Sequence, residues 1–229
     1  MGKVKIKKKE TRIDMTAMSD VTVLLLTFFM LTSTFLQKEP VTVITPPSVS
    51  EEKVPSENLL SVLVSPEGKV FLALTGDKDS TMKSEVVRAD LLKNMASMYN
   101  ERYNTKVGFT PKQIETFSKA NAFGVPMKDM QKWLDMPQDE RDKYLESEKA
   151  GIPIDMNEDP TTPNEFQMWV RAAYNSVNPN LQSAIVKGNG LAIKADQSTP
   201  YSVVNVVMDN LQTINFNKFS LMTALKTEE

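Results

Sequence analysis

The sequence predicts a single transmembrane helix followed by an α+β domain that carries a helical insertion. Three observations point there. Residues 21–36 form the only long apolar run. Residues 59–74 read as a β-hairpin, and the end of the chain alternates between helix and strand periodicity. With that alternation, a sheet covered by a few helices is the expected layer arrangement.

The apolar run is 16 residues long, about 24 Å as a helix at ~1.5 Å per residue. A bilayer core is about 30 Å thick and needs ~20 residues. Extension forward meets Gln37, Lys38, Glu39 and Pro40, whereas extension backward to Ile13 adds only moderately polar residues. The expected helix is therefore 13–36, which draws Asp20 into the membrane. A carboxylate there is costly and marks an ion or proton path. The competing reading is that Ser19 or Asp20 caps the helix at headgroup level. At ~100° per residue, Thr16, Thr27 and Thr34 fall within about 40° of Asp20, so one face is polar along the span. Thr22, Thr32 and Ser33 lie on other faces.

Lys3, Lys5, Lys7, Lys8, Lys9 and Arg12 precede the span. The positive-inside rule makes 1–12 a basic cytoplasmic tail and places everything after Leu36 outside. A signal peptide also begins with basic residues and an apolar core. Here the basic region carries acids, Asp20 abuts the apolar run and no Ala-x-Ala site follows, so an uncleaved anchor is expected. The first 20 residues carry +3 against −2 overall, which gives no basic field for nucleic acid. Cysteine and histidine are absent. That removes thiolate sites, the commonest metal ligand and the commonest general base. The expectation is a protein with no catalytic residues, no cofactor and no metal.

Residues 37–58 read as a tether, with Pro40, Pro46, Pro47 and Pro55; Val41-Thr-Val-Ile-Thr45 within it suits an edge or exchanged strand. The α+β domain is expected over 59–229. Leu59-Leu-Ser-Val-Leu-Val64 and Lys69-Val-Phe-Leu-Ala-Leu74 flank Ser65-Pro-Glu-Gly68, which suits a type I turn. Helical spacing then covers 85–103 through Val87, Leu91, Leu92, Met95, Met98 and Tyr99. Thr110-Pro111 opens a helix expected over 112–122 with Gly124 as its stop. Two short helices follow at 127–134 and 138–146, and Gly151-Ile-Pro-Ile-Asp155 breaks the zone. These helices make up a helical insertion at about 80–160. Thr162-Pro-Asn-Glu165 reads as a capping box opening a helix to Asn175. A strand at 191–195, a helix at 200–211 and a strand at 219–223 complete the chain.

Several residues invite sharper readings. The 14 methionines fall mostly at helical spacing with other apolar residues, so core packing is expected, as for Trp133 and Trp169. Lys187-Gly-Asn-Gly190 lacks the following helix that a phosphate loop needs. Asp155, Glu158 and Asp159 lack the EF-hand spacing and read as solvated surface.

Arg12-Ile-Asp-Met-Thr-Ala-Met-Ser-Asp20, followed by Leu24-Leu-Leu-Thr-Phe-Phe-Met30, resembles the ExbD/TolR family of single-pass motor subunits. So does Ile193-Lys-Ala-Asp-Gln-Ser-Thr-Pro-Tyr201, followed by Val203-Val-Asn-Val-Val-Met-Asp209. The resemblance covers about 10–75 and 162–225. Residues 80–160 resemble the longer ExbD versions of Bacteroidetes-type bacteria. Ser19 stands where a bulky apolar residue is usual and Ala17 where proline is; neither removes the carboxylate.

The resemblance implies an ExbD/TolR-like small sheet with two packed helices, in a periplasmic domain anchored in the bacterial inner membrane. It implies a homodimer whose helices pass through an ExbB/TolQ-like pentameric ring. Protonation and release at Asp20 would drive the pair, supported by the polar face of Thr16, Thr27 and Thr34. Force would pass to a TonB-like energy transducer that opens outer-membrane transporters. A TolR-like subunit serving envelope integrity shares the motif, and a non-motor membrane-anchored adaptor is the reading in which Asp20 is only a cap. A flagellar stator subunit needs a peptidoglycan-binding module that is not found after Gly188.

Overall fold

The computed structural model describes residues 15–32, 43–45, 47–48, 55–78, 81–222 and 224–225. The chain divides into two units, residues 1–38 and 39–229. The first unit contains α1 (Met15–Thr32), an 18-residue helix. The basic tail 1–12 and the expected helix ends at 13, 14 and 33–36 lie outside the described residues.

The second unit runs β1 (Pro47–Ser48), β2 (Leu59–Val64), β3 (Val70–Thr75), α2 (Ser84–Tyr103), α3 (Pro111–Lys119), β4 (Ala122–Phe123), α4 (Met127–Asp135) and α5 (Gln138–Glu146). It continues with α6 (Glu165–Tyr174), α7 (Pro179–Lys187), β5 (Leu191–Ala195), α8 (Tyr201–Thr213), β6 (Ser220–Leu221) and β7 (Ala224–Leu225). Five strands form one mixed sheet in the order β4-β3-β2-β5-β6. The β2–β3 and β3–β4 pairs are antiparallel, and β5 is parallel to both β2 and β6. β1 and β7 make a separate parallel pair.

The hairpin forms as its sequence directs. Gly68 N–H closes the turn on Ser65 O at 3.0 Å, and Ser65 N–H donates to Lys69 O at 2.9 Å. Gly68 sits at φ +82°, a conformation that side chains resist. Leu60, Val62 and Val64 of β2 are fully buried, and Leu59 and Leu63 of the opposite parity are nearly so. A strand covered on both faces is the expected centre of a sheet flanked by helices.

The inserted helices are present, but they are not appended to a finished sheet. The expected helix over 112–122 ends at Lys119, and Ala122–Phe123 instead supplies the edge strand β4. Gly124, read as a helix stop, is required for close approach. A Cβ there would meet the Phe71 ring at 2.2 Å. The insert is tied down again at its far end, where Ile152 N–H donates to Val70 O at 2.8 Å and Gly151 N–H to Gly124 O at 2.7 Å. Phe117 and Phe123 of the insert pack on Trp169 of α6, with centroids 6.0 and 4.7 Å away. Buried Arg88 of α2 donates through Nε to Leu74 O and through Nη1 to Ser118 O. Sheet and insert therefore share one core.

Three further elements depart from expectation. The capping box of α6 is Asn164 with Gln167, and not Thr162 with Glu165. α7 was not expected; Asn178 caps it, with Pro179 at its first turn and Gly188 at its end. Residues 43–45 form no strand, and the strand of the tether is β1, two residues further on. Residues 41 and 42 lie outside the described residues, and so does residue 223 of the expected last strand. That strand is β6, placed beside β5. Of the methionines expected in the core, Met95, Met127, Met130 and Met168 are buried and Met82, Met98 and Met208 pack against the core, whereas Met15, Met18, Met30 and Met156 are exposed; both tryptophans are buried.

Candidate functional site

Asp20 is the sole charged residue of α1, and it is exposed. Thr16 lies one turn before it and Thr27 two turns after, on the same face by helical period. Thr34 lies outside the described residues. Thr27 Oγ1 donates to Leu24 O at 2.9 Å. Thr22 bonds Ser19 O at 2.8 Å and Thr32 bonds Phe28 O at 2.8 Å in the same way. These back-bonds satisfy hydroxyls inside the helix, as an apolar medium requires. They occur on and off the Asp20 face alike, so hydrogen bonding does not single that face out.

The large apolar side chains of α1 are exposed. Leu24, Leu25, Leu26, Phe28, Phe29 and Leu31 are 56–87% exposed. A surface of that kind needs another apolar body against it. Eighteen residues of helix span about 27 Å. Among the described residues, no helix is long and apolar enough to cross a membrane.

In the second unit, the incoming tether is held where β5 ends. Asp196 Oδ2 accepts the Ile44 N–H at 2.7 Å, and Gln197 N–H donates to Ile44 O at 2.8 Å. Asp196 Oδ1 takes both the N–H and the hydroxyl of Ser198. The hydroxyl and N–H of Ser198, then the Ile44 N–H, hold this carboxyl below the usual carboxylate range. Val43 beside it is buried. The sequence marks Asp196 as part of a motif but carries no sign of its contact with Ile44, 152 positions away.

The acidic loop is committed internally. Asp159 Oδ1 accepts from Thr161 N–H and hydroxyl, and Oδ2 from the Thr162 hydroxyl. Asp155 Oδ1 accepts from Asn164 Nδ2 at 2.7 Å. Among the described residues, no group of three or more acidic side chains is placed to hold a metal ion. Glu165, expected to close a capping box on Thr162, is instead buried at the start of α6 and accepts the Met127 N–H of α4.

Searches among curated proteins and among solved structures returned no match. Residues 7–111 match the family described as biopolymer transport protein ExbD/TolR. The matched stretch contains α1 with Asp20, the β2–β3 hairpin and α2, and it ends at the first residue of α3. It thus runs into the stretch read as an insertion, and the motif around Asp196 lies beyond it. The stretch bearing Asp20 and the hairpin, a little under half of the chain, is thus similar to the ExbD/TolR family.

Proposed function

We propose that this chain is a non-enzymatic motor subunit that couples ion flow to work on the outer membrane. Proteins of the ExbD/TolR family are inner-membrane proteins that work with ExbB/TolQ-type and TonB/TolA-type partners. The observation that carries the reading is one carboxylate on a helix whose large apolar side chains, Leu24 to Leu31 among them, are exposed among the described residues. Lipid and an ExbB-like ring would supply that cover, with α1 of two copies inside the ring. A carboxyl that alternately meets apolar and polar surroundings gains and loses a proton, because a low dielectric disfavours the charged form. A potential of 100 mV supplies about 2.3 kcal/mol per proton, so several protons are needed for each working event. The second unit, on the periplasmic side, would pass the force to a TonB-like transducer.

Asp20→Asn tests the reading. The amide fills the same space and cannot cycle a proton. The variant is expected to copurify with its ring partner and to lose energised uptake of a large outer-membrane ligand. Near-normal uptake would sink the motor reading and leave a membrane-anchored adaptor.

A further inference from the structure

The inserted helices enclose a cleft of about 400 Å³ between α3, the end of α4 and the start of α5, a volume in the range of small-ligand pockets. Its wall carries two cations, Lys112 of α3 and Arg141 of α5, with Thr116 beside them. Among the described residues neither cation forms an ion pair, unlike Lys69 with Glu67 and Lys119 with Glu115. Arg141 is held in place. Its guanidinium lies over the Trp133 ring, 5.8 Å from the centroid, and Nη2 donates to Gln138 Oε1. Its Nε is buried and makes no hydrogen bond, so this cation is partly out of water with no anion to offset the loss. The cleft also meets the first turn of α5, whose N-cap position is Pro137 and offers no side-chain acceptor. An uncapped helix start adds positive potential there. The acids nearby are already engaged. Asp135 Oδ1 accepts from Gln113 Nε2 at 2.9 Å, and Asp142 Oδ1, outside the lining, accepts from Gln138 Nε2 at 3.0 Å.

We propose that this cleft binds a carboxylate, with Lys112 and Arg141 as its counter-charges. Two cations against the one lining acid, Asp135, leave a net charge of +1, which a single carboxylate neutralises. A phosphate brings about −1.5 to −2 and would leave negative charge facing Asp135. An arginine already held against a ring loses little freedom when it takes an oxygen acceptor. The carboxylate comes from the acidic side chain of a peptide or from a free organic acid, which present the same group. The site gives the inserted helices a recognition role, and it stands independently of the motor reading.

Titration of the full-length chain in detergent, with isotope-labelled methionine methyls, reads the cleft by NMR through Met136 on its wall. The probes are an end-blocked Gly-Glu-Gly peptide, its Gly-Gln-Gly counterpart, propionate as the free equivalent of the glutamate side chain, and inorganic phosphate. The Met136 signal should shift saturably with the glutamate peptide or with propionate, and the tighter of the two identifies the source. Arg141→Gln should weaken that ligand roughly tenfold, the scale of one lost charge-assisted bond. Lys112→Gln, at an exposed position where folding is not at stake, should weaken it roughly threefold. Absence of saturation with both carboxylates overturns the proposal. So does an equal response to the glutamine peptide, tighter binding of phosphate, or unchanged affinity in the Lys112→Gln variant.

Discussion

Asp196 holds Ile44 by its backbone. The carboxylate accepts the Ile44 N–H at 2.7 Å while Gln197 N–H takes the Ile44 carbonyl at 2.8 Å. Both backbone groups of one tether residue are thus bound to the two residues that follow β5. The Ile44 side chain points out and is exposed, so the contact reads the backbone and not the side chain.

Asp196→Ala should release residues 43–45 without unfolding the five-stranded sheet. Amide exchange at Ile44 is expected to rise by roughly an order of magnitude, the scale of one lost charge-assisted bond. The effect of pH follows from the lowered carboxyl. An acid depressed on folding stabilises above its unfolded value of about 3.9, and that contribution is lost as pH falls through the folded value. The clamp should therefore hold across neutral and mildly acid pH and open only in strong acid. Release already at about pH 6 would show that another group sets it.

Removing residues 81–160 should abolish cooperative unfolding of the outer unit. The segment supplies β4 and the Phe117 and Phe123 rings against Trp169. Phe123→Ala alone should cost about 3–5 kcal/mol in a denaturant titration, the usual range for an emptied aromatic site. A loss under about 1 kcal/mol would mean that the site closes over the gap.

Gly124→Ala should destabilise by about 1–3 kcal/mol through overpacking against Phe71. Combining it with Phe71→Leu should recover part of that loss, because the two changes share one contact. Strict additivity in a double-mutant cycle would rule out the ring as the cause.

On α1, Thr27→Val should slow energised transport more than Thr22→Val or Thr32→Val. All three hydroxyls bond carbonyls of their own helix, so the cost to the helix is matched. Only Thr27 shares the Asp20 face. Equal transport rates for the three variants would make the polar face incidental.

What could be read from the sequence divides along the range of the interactions. The β2–β3 hairpin was legible because Pro66 and Gly68 specify its turn locally. β5 was legible as a bounded apolar run. α3 was overextended because Ala120 and Ala122 favour helix by themselves, and pairing with Leu72 and Ala73 decides otherwise. At the start of α6 the cap is Asn164 and not the expected Thr162, and buried Asn210 favours it by accepting from Asn164 Nδ2 at 2.7 Å. α7 had its cap, proline and closing glycine in plain sight, but only Leu181 and Ile185 are buried along it, too few to show a period. In the same way, Asp20 stands out because it is an acid set directly beside a long apolar run, a local pattern. Glu165 does not stand out, because an acid in the first turn of a helix is ordinary and only its distant neighbour Met127 makes it special.

The order of attachments along the tether has a mechanical consequence. Tension drawn through the chain ahead of Val43 meets the two bonds of Ile44 first, then the short β1–β7 pair, and reaches β2 only afterwards. β2 is the middle strand, bonded on both sides by six and five residue pairs. The weak links thus yield in series before the strong element bears load. Slack is paid out in two short steps near the tether while the folded body stays whole, which gives the domain an elastic leader at the point where a pull would enter.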